Sequence, residues 1–314
     1  MQCLSYLSHR VLISAMILAA GVSIQPVSAA TVEVTLHAKE VDLPIDNKGT
    51  LYPTWTFDGK VPGPVVRVTE GDIVKFTLIN DKESKHPHSM DFHAAQLDVV
   101  KDFASAAPGE QKNYSFKANY PGVFFYHCGS DPMMQHLARG MFGAIIVDPK
   151  NPNALPKADR EYVLIQSELY KDPDNVEDMM ANKWSNVVFN GGIFRYDPVH
   201  DAAAKHVLQA KPGERVRIYF VNAGPNEFSS FHSIAGIWDR VYPSGNPKNV
   251  LRGLQTYVVG PGDGASFDLI SPVEGANAIV THSLRAAMTG AIAIIKFSKD
   301  ADPKMGRGDQ ILIR

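Results

Sequence analysis

The sequence predicts an all-β protein built from two tandem sandwich domains. Short alternating apolar runs such as "TVEVTL" and "VVRVTEGDIVKFTLIN" recur from Thr31 onward, separated by clusters of Gly, Pro and Asp. Alternation with a period of two is typical of half-buried strands, and apolar residues at helical spacing are scarce. The chain also repeats itself internally, and its 314 residues with 45% hydrophobic content suit two ordinary domains.

The repeat pairs three segments of the first half with three of the second. Residues 68–80, "VTEGDIVKFTLIN", parallel 210–224, "AKPGERVRIYFVNAG", and "APGEQKNYSF" at 107–116 parallels "GPGDGASFDL" at 260–269. The ends "YHC…GMFGAIIV" and "THS…AMTGAIAII" match again. Two copies of one β-domain are therefore predicted, at residues 31–150 and 160–297, joined by a polar, proline-containing segment. The charged tail, residues 298–314, is expected on the surface, as are Asp98 and Arg139.

Residues 1–30 have the features of a secretory signal peptide and are not expected to belong to the fold. His9 and Arg10 precede the apolar run "VLISAMILAAGVSI", and "PVSAAT" offers cleavage near Ala29 or Ala30. The run is about fourteen residues, short of the roughly twenty that a membrane span needs. We expect an exported, periplasmic protein with no membrane span after cleavage; an uncleaved anchor is the alternative. A formal charge of −2 gives no reason to expect nucleic acid.

Cysteine content indicates a metal site rather than disulfides. Cys3 would leave with the signal peptide, so of the two cysteines the mature chain would keep only Cys128. No disulfide framework is then possible, and metal ligation explains a lone thiol in an oxidising compartment.

The segment "FFYHCGSDPMMQHLARGM" predicts two metal sites. The aromatic, β-branched run before His127 and Cys128 favours a strand, in which neighbouring side chains point to opposite faces. A blue-copper site is held by a thiolate, two imidazoles and a distant thioether, and Cys128, His136 and Met141 would supply three of these four ligands. The second imidazole is expected from "KHPHSMDFHAA", which offers His86, His88 and His93.

The second copy of the domain has lost most of these ligands. The loop from His282 to Gly290 is shorter than the corresponding loop of the first copy, and Ser283 stands where the first copy has Cys128. The second copy therefore keeps one histidine of the pattern.

These residues resemble the copper-containing nitrite reductases, two-domain proteins of the multicopper oxidase superfamily. The match runs from "GKVPGPVVRVTEGD" (59–72) to "GAIAIIKF" (290–297), and its most specific parts are "HSMDFH", "YHC", the His-x4-Met pair, "SSFHSI" and "VTHS". The resemblance implies two cupredoxin-like Greek-key β-sandwich or barrel domains, one type 1 and one type 2 copper per subunit, and a homotrimer. It assigns the type 1 copper to His88, Cys128, His136 and Met141, and the type 2 copper to His93, His127 and His282.

The resemblance also implies the residues that handle protons and substrate. Asp91 and His232 would form the acid–base pair, and Ile234 would shape the substrate pocket. Strand parity supports part of this, because Asp91 and His93 are two positions apart and share a face, whereas His88 is an odd number of residues from both. A β-bulge would break that parity.

The implied activity is the dissimilatory-type reduction of nitrite to nitric oxide and water, which consumes one electron and two protons. A small donor protein, a cupredoxin or a c-type cytochrome, would supply the electron to the type 1 copper. The dipeptide of His127 and Cys128 would then give a short covalent route to the type 2 copper. Three neutral imidazoles would leave an open position there for nitrite. The trimer would share each type 2 site between domain 1 of one subunit and domain 2 of the next.

Three other functions stay open at this point. A catalytic zinc is also held by three histidines with one open position, although zinc would leave the adjacent type 1 set without a redox role. A two-domain laccase-like oxidase would need several His-x-His pairs and a His-Cys-His triplet, whereas Gly129 follows the cysteine and "HPH" is the only His-x-His. A cupredoxin-like electron carrier would explain the type 1 residues alone. The remaining histidines of the mature chain, His37, His86, His200 and His206, are expected to be structural or exposed.

Overall fold

The computed structural model describes residues 29–306 and the backbone of residues 312–313. The predicted signal peptide lies outside the described residues except for its last two positions. No helix in the described part of the chain is long and apolar enough to cross a membrane. The described residues form strands joined by loops and four short helices, so the all-β prediction is confirmed.

The first predicted domain contains two facing sheets. Its strands are β1 (Thr31–Pro44), β2 (Leu51–Phe57), β3 (Val65–Thr69), β4 (Ile73–Asn80), β5 (Asp91–Phe92), β6 (Gln111–Lys117), β7 (Gly122–His127) and β8 (Phe142–Asp148). Short helices α1 (Val99–Asp102) and α2 (Met133–Ala138) lie in its loops. One sheet has the order β2-β1-β4-β6, and the other contains β3-β8-β7-β5. In β4 the side chains of Val74, Phe76 and Leu78 are buried between the sheets, as the period-two pattern requires.

The second predicted domain also contains two sheets. Its strands are β9 (Arg160–Leu169), β10 (Asn186–Phe189), β11 (Leu208–Ala210), β12 (Arg215–Asn222), β13 (Ser229–Ile234), β14 (Trp238–Pro243), β15 (Leu251–Leu254), β16 (Thr256–Val259), β17 (Gly264–Ile270), β18 (Gly275–Thr281) and β19 (Ile292–Phe297). Helices α3 (Val176–Met180) and α4 (Leu284–Ala287) lie between them. The sheet orders are β10-β9-β12-β17-β14-β15 and β11-β19-β18-β13-β16.

The sequence repeat corresponds to equivalent strand pairings in the two halves. Strand β4 pairs in parallel with β1 and antiparallel with β6. Strand β12 likewise pairs in parallel with β9 and antiparallel with β17. A last strand, β20 (Leu312–Ile313), pairs in parallel with β3. The expectation that the whole tail lies on the surface is therefore wrong, because its backbone completes the hydrogen bonding of a sheet edge, and Ala301 is buried.

An apolar cluster joins the two halves. Val123, Phe125 and Phe142 of the first half pack with Val163 and Ile165 of the second, among other buried side chains. Because Phe125 belongs to β7, this interface lies directly behind the strand that ends at His127.

A salt-bridged arginine reinforces this interface. Arg67 on β3 donates through Nε and Nη2 to Asp148, at 2.7 and 2.8 Å, and through Nη1 to Glu161 on β9, at 2.7 Å. The domain interface therefore packs against the strand that carries the histidines described next.

Candidate metal centres

Three buried side chains converge where β7 ends, and each reaches the cluster from a different segment. Cys128 directly follows β7, His136 lies on α2, and His88 lies just before β5. The Cys128 Sγ atom lies 3.2 Å from His136 Nδ1 and 3.9 Å from His88 Nδ1, and the two Nδ1 atoms are 3.3 Å apart. Two nitrogens and one sulfur thus face a common point. The backbone of His88 is held by reciprocal hydrogen bonds with Ala106.

Met141 lies beside this cluster and is fully buried. The Cys128 N–H donates to the Met141 carbonyl at 3.0 Å, and the Met141 N–H donates to the His136 carbonyl at 3.1 Å. Gly140 makes the turn possible, because its φ is +106° and a Cβ atom there would lie 2.4 Å from a methyl group of Val61. The loop that carries the predicted thioether therefore closes back onto the cysteine.

The electrostatics of this cluster suit a bound metal. Burial lowers the pKa of His88 to about 4 and that of His136 to about 3, so both imidazoles are neutral and have a free lone pair near neutral pH. Burial also raises the pKa of the Cys128 thiol, against hydrogen bonds from Ser89 and Ser130. Two imidazole nitrogens and one sulfur, buried together with a thioether beside them, form a soft ligand set that fits copper.

A second cluster lies on the opposite side of the same strand end. His93 Nε2 and His127 Nε2 are 3.2 Å apart, and Asp91 Oδ2 lies 3.5 Å from the His127 nitrogen and 3.9 Å from that of His93. Asp91 and His127 are cross-strand partners in the β5–β7 pair, and the His93 N–H donates to the Phe125 carbonyl. Strand pairing therefore brings these three side chains together.

Backbone carbonyl groups fix the orientation of both histidine rings. His127 Nδ1 lies 2.9 Å from the Cys128 carbonyl, which only accepts, so Nδ1 donates and Nε2 keeps its lone pair. His93 forms a hydrogen bond with the backbone of Gly262 in the second half of the chain. Burial lowers the pKa of His93, with a further contribution from His127. Burial alone would raise the pKa of Asp91, but the combined effect of the neighbouring His127 and His93 rings and the Phe92 backbone outweighs burial, so the pKa of Asp91 is lowered overall.

The predicted residues of the second domain form a separate group. The rings of His232 and His282 are in edge contact, with centroids 5.2 Å apart. The His282 N–H donates to the Ser230 carbonyl, and His232 Nδ1 donates to the Gln255 carbonyl at 2.5 Å. The His282 side chain is exposed, and Ile234 is 44% exposed.

The structure therefore assembles most, but not all, of the predicted site within one chain. His88, Cys128 and His136 come together with Met141 beside them, and Asp91, His93 and His127 form the second group. In residues 29–306, the set of converging ligand atoms around His93 includes neither His282 nor His232.

Sequence inspection missed several neighbours of the clusters. Arg139, expected on the surface, is buried, with its guanidinium 4.8 Å from the centre of the Trp55 ring and paired with Asp174. Trp55 in turn contacts the rings of His86 and His136, at centroid distances of 4.2 and 4.6 Å. No local motif marks Trp55 or Gly262, because both reach the clusters only through tertiary packing.

Comparison with known proteins gives consistent matches. Residues 41–152 match the family model described as multicopper oxidase. The chain is 37% identical to the copper-containing nitrite reductase of Neisseria gonorrhoeae, over 88% of this chain and 71% of that protein. It is 31% identical to that of Pseudomonas chlororaphis, over 84% and 78%.

Solved structures of copper nitrite reductases are also similar to this chain. A copper nitrite reductase from Nitrosomonas europaea is 74% identical, with a TM-score of 0.89, over 90% of this chain and 100% of that one. A Cu-containing nitrite reductase from Thermus scotoductus is 36% identical, with a TM-score of 0.77, over 88% and 63%. A laccase from Botrytis aclada is 18% identical, with a TM-score of 0.70, over 87% and 54%, which is a likeness of fold alone.

Proposed function

This chain belongs to the copper-containing nitrite reductases, and from that premise we propose that it reduces nitrite to nitric oxide with one type 1 and one type 2 copper per subunit. The observation that carries the proposal is the pair of adjacent clusters that share the dipeptide of His127 and Cys128. When bound, copper at the first cluster would take one electron from a donor, and copper at the second would bind nitrite and pass that electron on.

The type 1 copper is proposed to be held by His88, Cys128, His136 and Met141. Two neutral imidazoles, a buried sulfur and an adjacent thioether supply the ligand set of blue-copper electron-transfer sites. Burial of all four residues excludes water from the redox centre.

The type 2 copper is proposed to be held by His93, His127 and His282. The Cys128 carbonyl holds Nδ1 of His127 and the Gly262 backbone holds the His93 ring, and the two Nε2 atoms lie 3.2 Å apart beside Asp91. Electrons would reach this site through the covalent backbone between Cys128 and His127. A hydrogen bond of 2.9 Å from His127 Nδ1 to the Cys128 carbonyl gives a second connection between the same two residues.

Asp91 and His232 are proposed to manage the two protons. The Asp91 carboxylate is one third exposed and lies beside the free Nε2 atoms, where it accepts and releases a proton at Oδ2. The Gln255 carbonyl accepts from His232 Nδ1, so Nε2 is the nitrogen left to carry a proton. Ile234 lies two residues along the same strand, on the same face as His232, and would form the wall of the substrate pocket.

A homotrimer is proposed to complete the type 2 site. His282 is exposed in a single chain, and exposed apolar residues occur on nearby strands and turns, including Ile234, Ile237 and Val258. Such a surface suits burial against another subunit, and a head-to-tail contact closes into a ring. Domain 2 of one subunit would then cover His93 and His127 of the next. We also propose that the two domains comprise residues 31–150 and 160–297.

The electron donor is proposed to be a small cupredoxin or c-type cytochrome, in a periplasmic setting that the signal features favour. A groove lined by Trp55, His86 and Arg139 lies over the type 1 cluster and offers a place for its docking. A laccase-like oxidase has less support, because the laccase likeness reaches the fold alone.

Copper loading and product analysis test this function directly. The full-length protein, loaded with copper, is expected to hold two coppers per chain, to show both type 1 and type 2 EPR signals, and to form nitric oxide from nitrite. One copper per chain, a type 1 spectrum alone and no nitric oxide would instead identify an electron carrier.

Mixed trimers test whether the type 2 site is shared. Asp91→Ala and His282→Ala are each expected to be nearly inactive alone. If the two variants are unfolded together and reassembled in equal amounts, about a quarter of sites should combine an intact domain 1 with an intact domain 2 under random cyclic association. Activity should recover toward that fraction. No recovery in trimers that have exchanged subunits and regained copper would place the site within one chain.

A further inference from the structure

Glu40 occupies a fixed position behind the type 1 cluster. It lies on β1 directly opposite Trp55 of β2, and its side chain is 14% exposed. Glu40 Oε1 accepts hydrogen bonds from the backbone N–H groups of Lys85 and His86, at 2.7 and 2.9 Å, and from His86 Nδ1 at 2.9 Å. Burial would raise its pKa, but the hydrogen bonds from His86 and Lys85 outweigh burial and lower it, so Glu40 is ionised at neutral pH.

The unused nitrogen of His88 faces this carboxylate. His88 Nδ1 points to Cys128 and His136, so Nε2 is the nitrogen that would carry a proton in a copper-bound ring. Among the described residues this buried atom has no hydrogen-bond partner, and Glu40 Oε1 lies 3.8 Å away. Buried polar groups are normally satisfied, so an unpaired N–H aimed at a carboxylate calls for an explanation.

We propose that Glu40 is a positioning residue that acts through His88 and lowers the reduction potential of the type 1 copper. The inference rests on the proposed function. The fixed negative charge of Glu40 lies behind a proposed copper ligand, His88. This charge would stabilise the oxidised centre, which carries one more positive charge than the reduced centre. Trp55 strengthens the effect, because it is 4% exposed and its contacts with the rings of His86 and His136 keep water out of this region.

The other acidic side chains of the same groove lack this arrangement. Glu83 and Asp42 are exposed, so solvent and salt screen their charges. Asp174 is neutralised by its ion pair with Arg139. Glu40 is therefore the groove carboxylate expected to influence the copper.

Glu40→Gln separates the charge from the structural contacts. The amide oxygen of glutamine still accepts from the backbone N–H groups of Lys85 and His86, so the loop before His88 keeps its anchor while the negative charge is lost. Glu83→Gln is the matched control, since it makes the same chemical change in the exposed part of the groove. Both variants are studied as the copper-loaded, full-length protein, and the measurement is the midpoint potential of the type 1 visible band.

We expect the potential of Glu40→Gln to rise by an amount equal to about a tenfold shift toward reduced copper, about 59 mV for one electron. Glu83→Gln should stay close to the parent protein. A shift in Glu40→Gln no larger than that in Glu83→Gln would overturn the inference. Glu40→Asp, which keeps the charge but withdraws it by one methylene, should give an intermediate potential.

The remaining outcomes are also decisive. If Glu40→Gln fails to retain type 1 copper, the test rests on Glu40→Asp, whose potential should lie above that of the parent protein; an unmoved potential there would overturn the inference. Loss of copper from both variants would show that Glu40 only anchors the loop, and would refute the electrostatic role. Absence of the type 1 band from the unmodified protein would contradict the proposed function itself, whereas a normal band with an unmoved potential in Glu40→Gln contradicts this inference alone.

Discussion

A single methyl group at position 262 is expected to weaken type 2 copper binding while leaving type 1 copper in place. Gly262 lies in the turn before β17, with φ at +80°, and its backbone forms a hydrogen bond with the ring of His93. A Cβ atom at this position would lie 3.3 Å from His93 Cε1, closer than ordinary van der Waals contact. Gly262→Ala therefore displaces the ring whose Nε2 atom is a proposed ligand.

Two separate effects set the expected magnitude. An alanine held at this positive φ costs about 1–2 kcal/mol of folding stability. Disturbing a group that orients a metal ligand typically lowers metal affinity by about 10–100-fold. Gly213→Ala isolates the second effect, because Gly213 occupies the equivalent turn before β12 with φ at +82° and has no atom within 4 Å of its would-be Cβ.

The assay is copper retention against a graded chelator, with type 2 copper followed by EPR and type 1 copper by its visible band. Both variants should lose about 1–2 kcal/mol of unfolding free energy in denaturant titrations. Only Gly262→Ala should release type 2 copper at about 10–100-fold lower chelator concentration than the parent. Equal retention in the two variants, or parallel loss of both coppers from Gly262→Ala, would refute the positioning of His93 by this turn.

Three further predictions concern the type 1 copper ligand Cys128, proton delivery by His232 and the domain interface. Cys128→Ala should abolish the visible colour and donor-driven turnover while the type 2 EPR signal remains, and full activity with a normal donor would contradict the two-centre assignment. His232→Ala should lower kcat/KM for nitrite while both coppers are retained, because the proposed proton carrier is lost; an unchanged kcat/KM would remove His232 from proton delivery. Burial would raise the pKa of Glu161, but its contacts with Arg67 and Tyr219 outweigh burial and lower it overall. The ionised Glu161 therefore stabilises the folded protein above the pKa of glutamate in the unfolded chain, about 4.3, and this stabilisation is lost as pH falls through the lower pKa of the folded protein. Glu161→Gln should therefore cost about 1 kcal/mol of unfolding free energy at pH 7, with the difference from the parent shrinking at lower pH; a cost that does not depend on pH would reject this account.

Features that depend on local geometry could be predicted from the amino-acid sequence alone. Alternating side chains such as Val74 and Phe76 predicted the strands, because successive residues of a strand face opposite sides whatever the rest of the fold does. The same rule separated His127 from Cys128 and so predicted two clusters rather than one. The short loop from Cys128 through His136 and Met141 needed no distant contact to suggest a copper site. The family followed from motifs of the same local kind.

The residues that support those clusters from distant parts of the chain could be identified only in the folded protein. Glu40 lies behind His88, and the Gly262 turn holds the ring of His93, although long stretches of chain separate the members of each pair. Arg139 is buried against Trp55, and the end of the tail pairs with β3, contrary to the expectation of an exposed surface. Such contacts depend on strand order, on register and on the packing of one domain against the other. A one-residue change in the register of β1 would turn the Glu40 side chain to the opposite face of its sheet, and no local pattern encodes the choice.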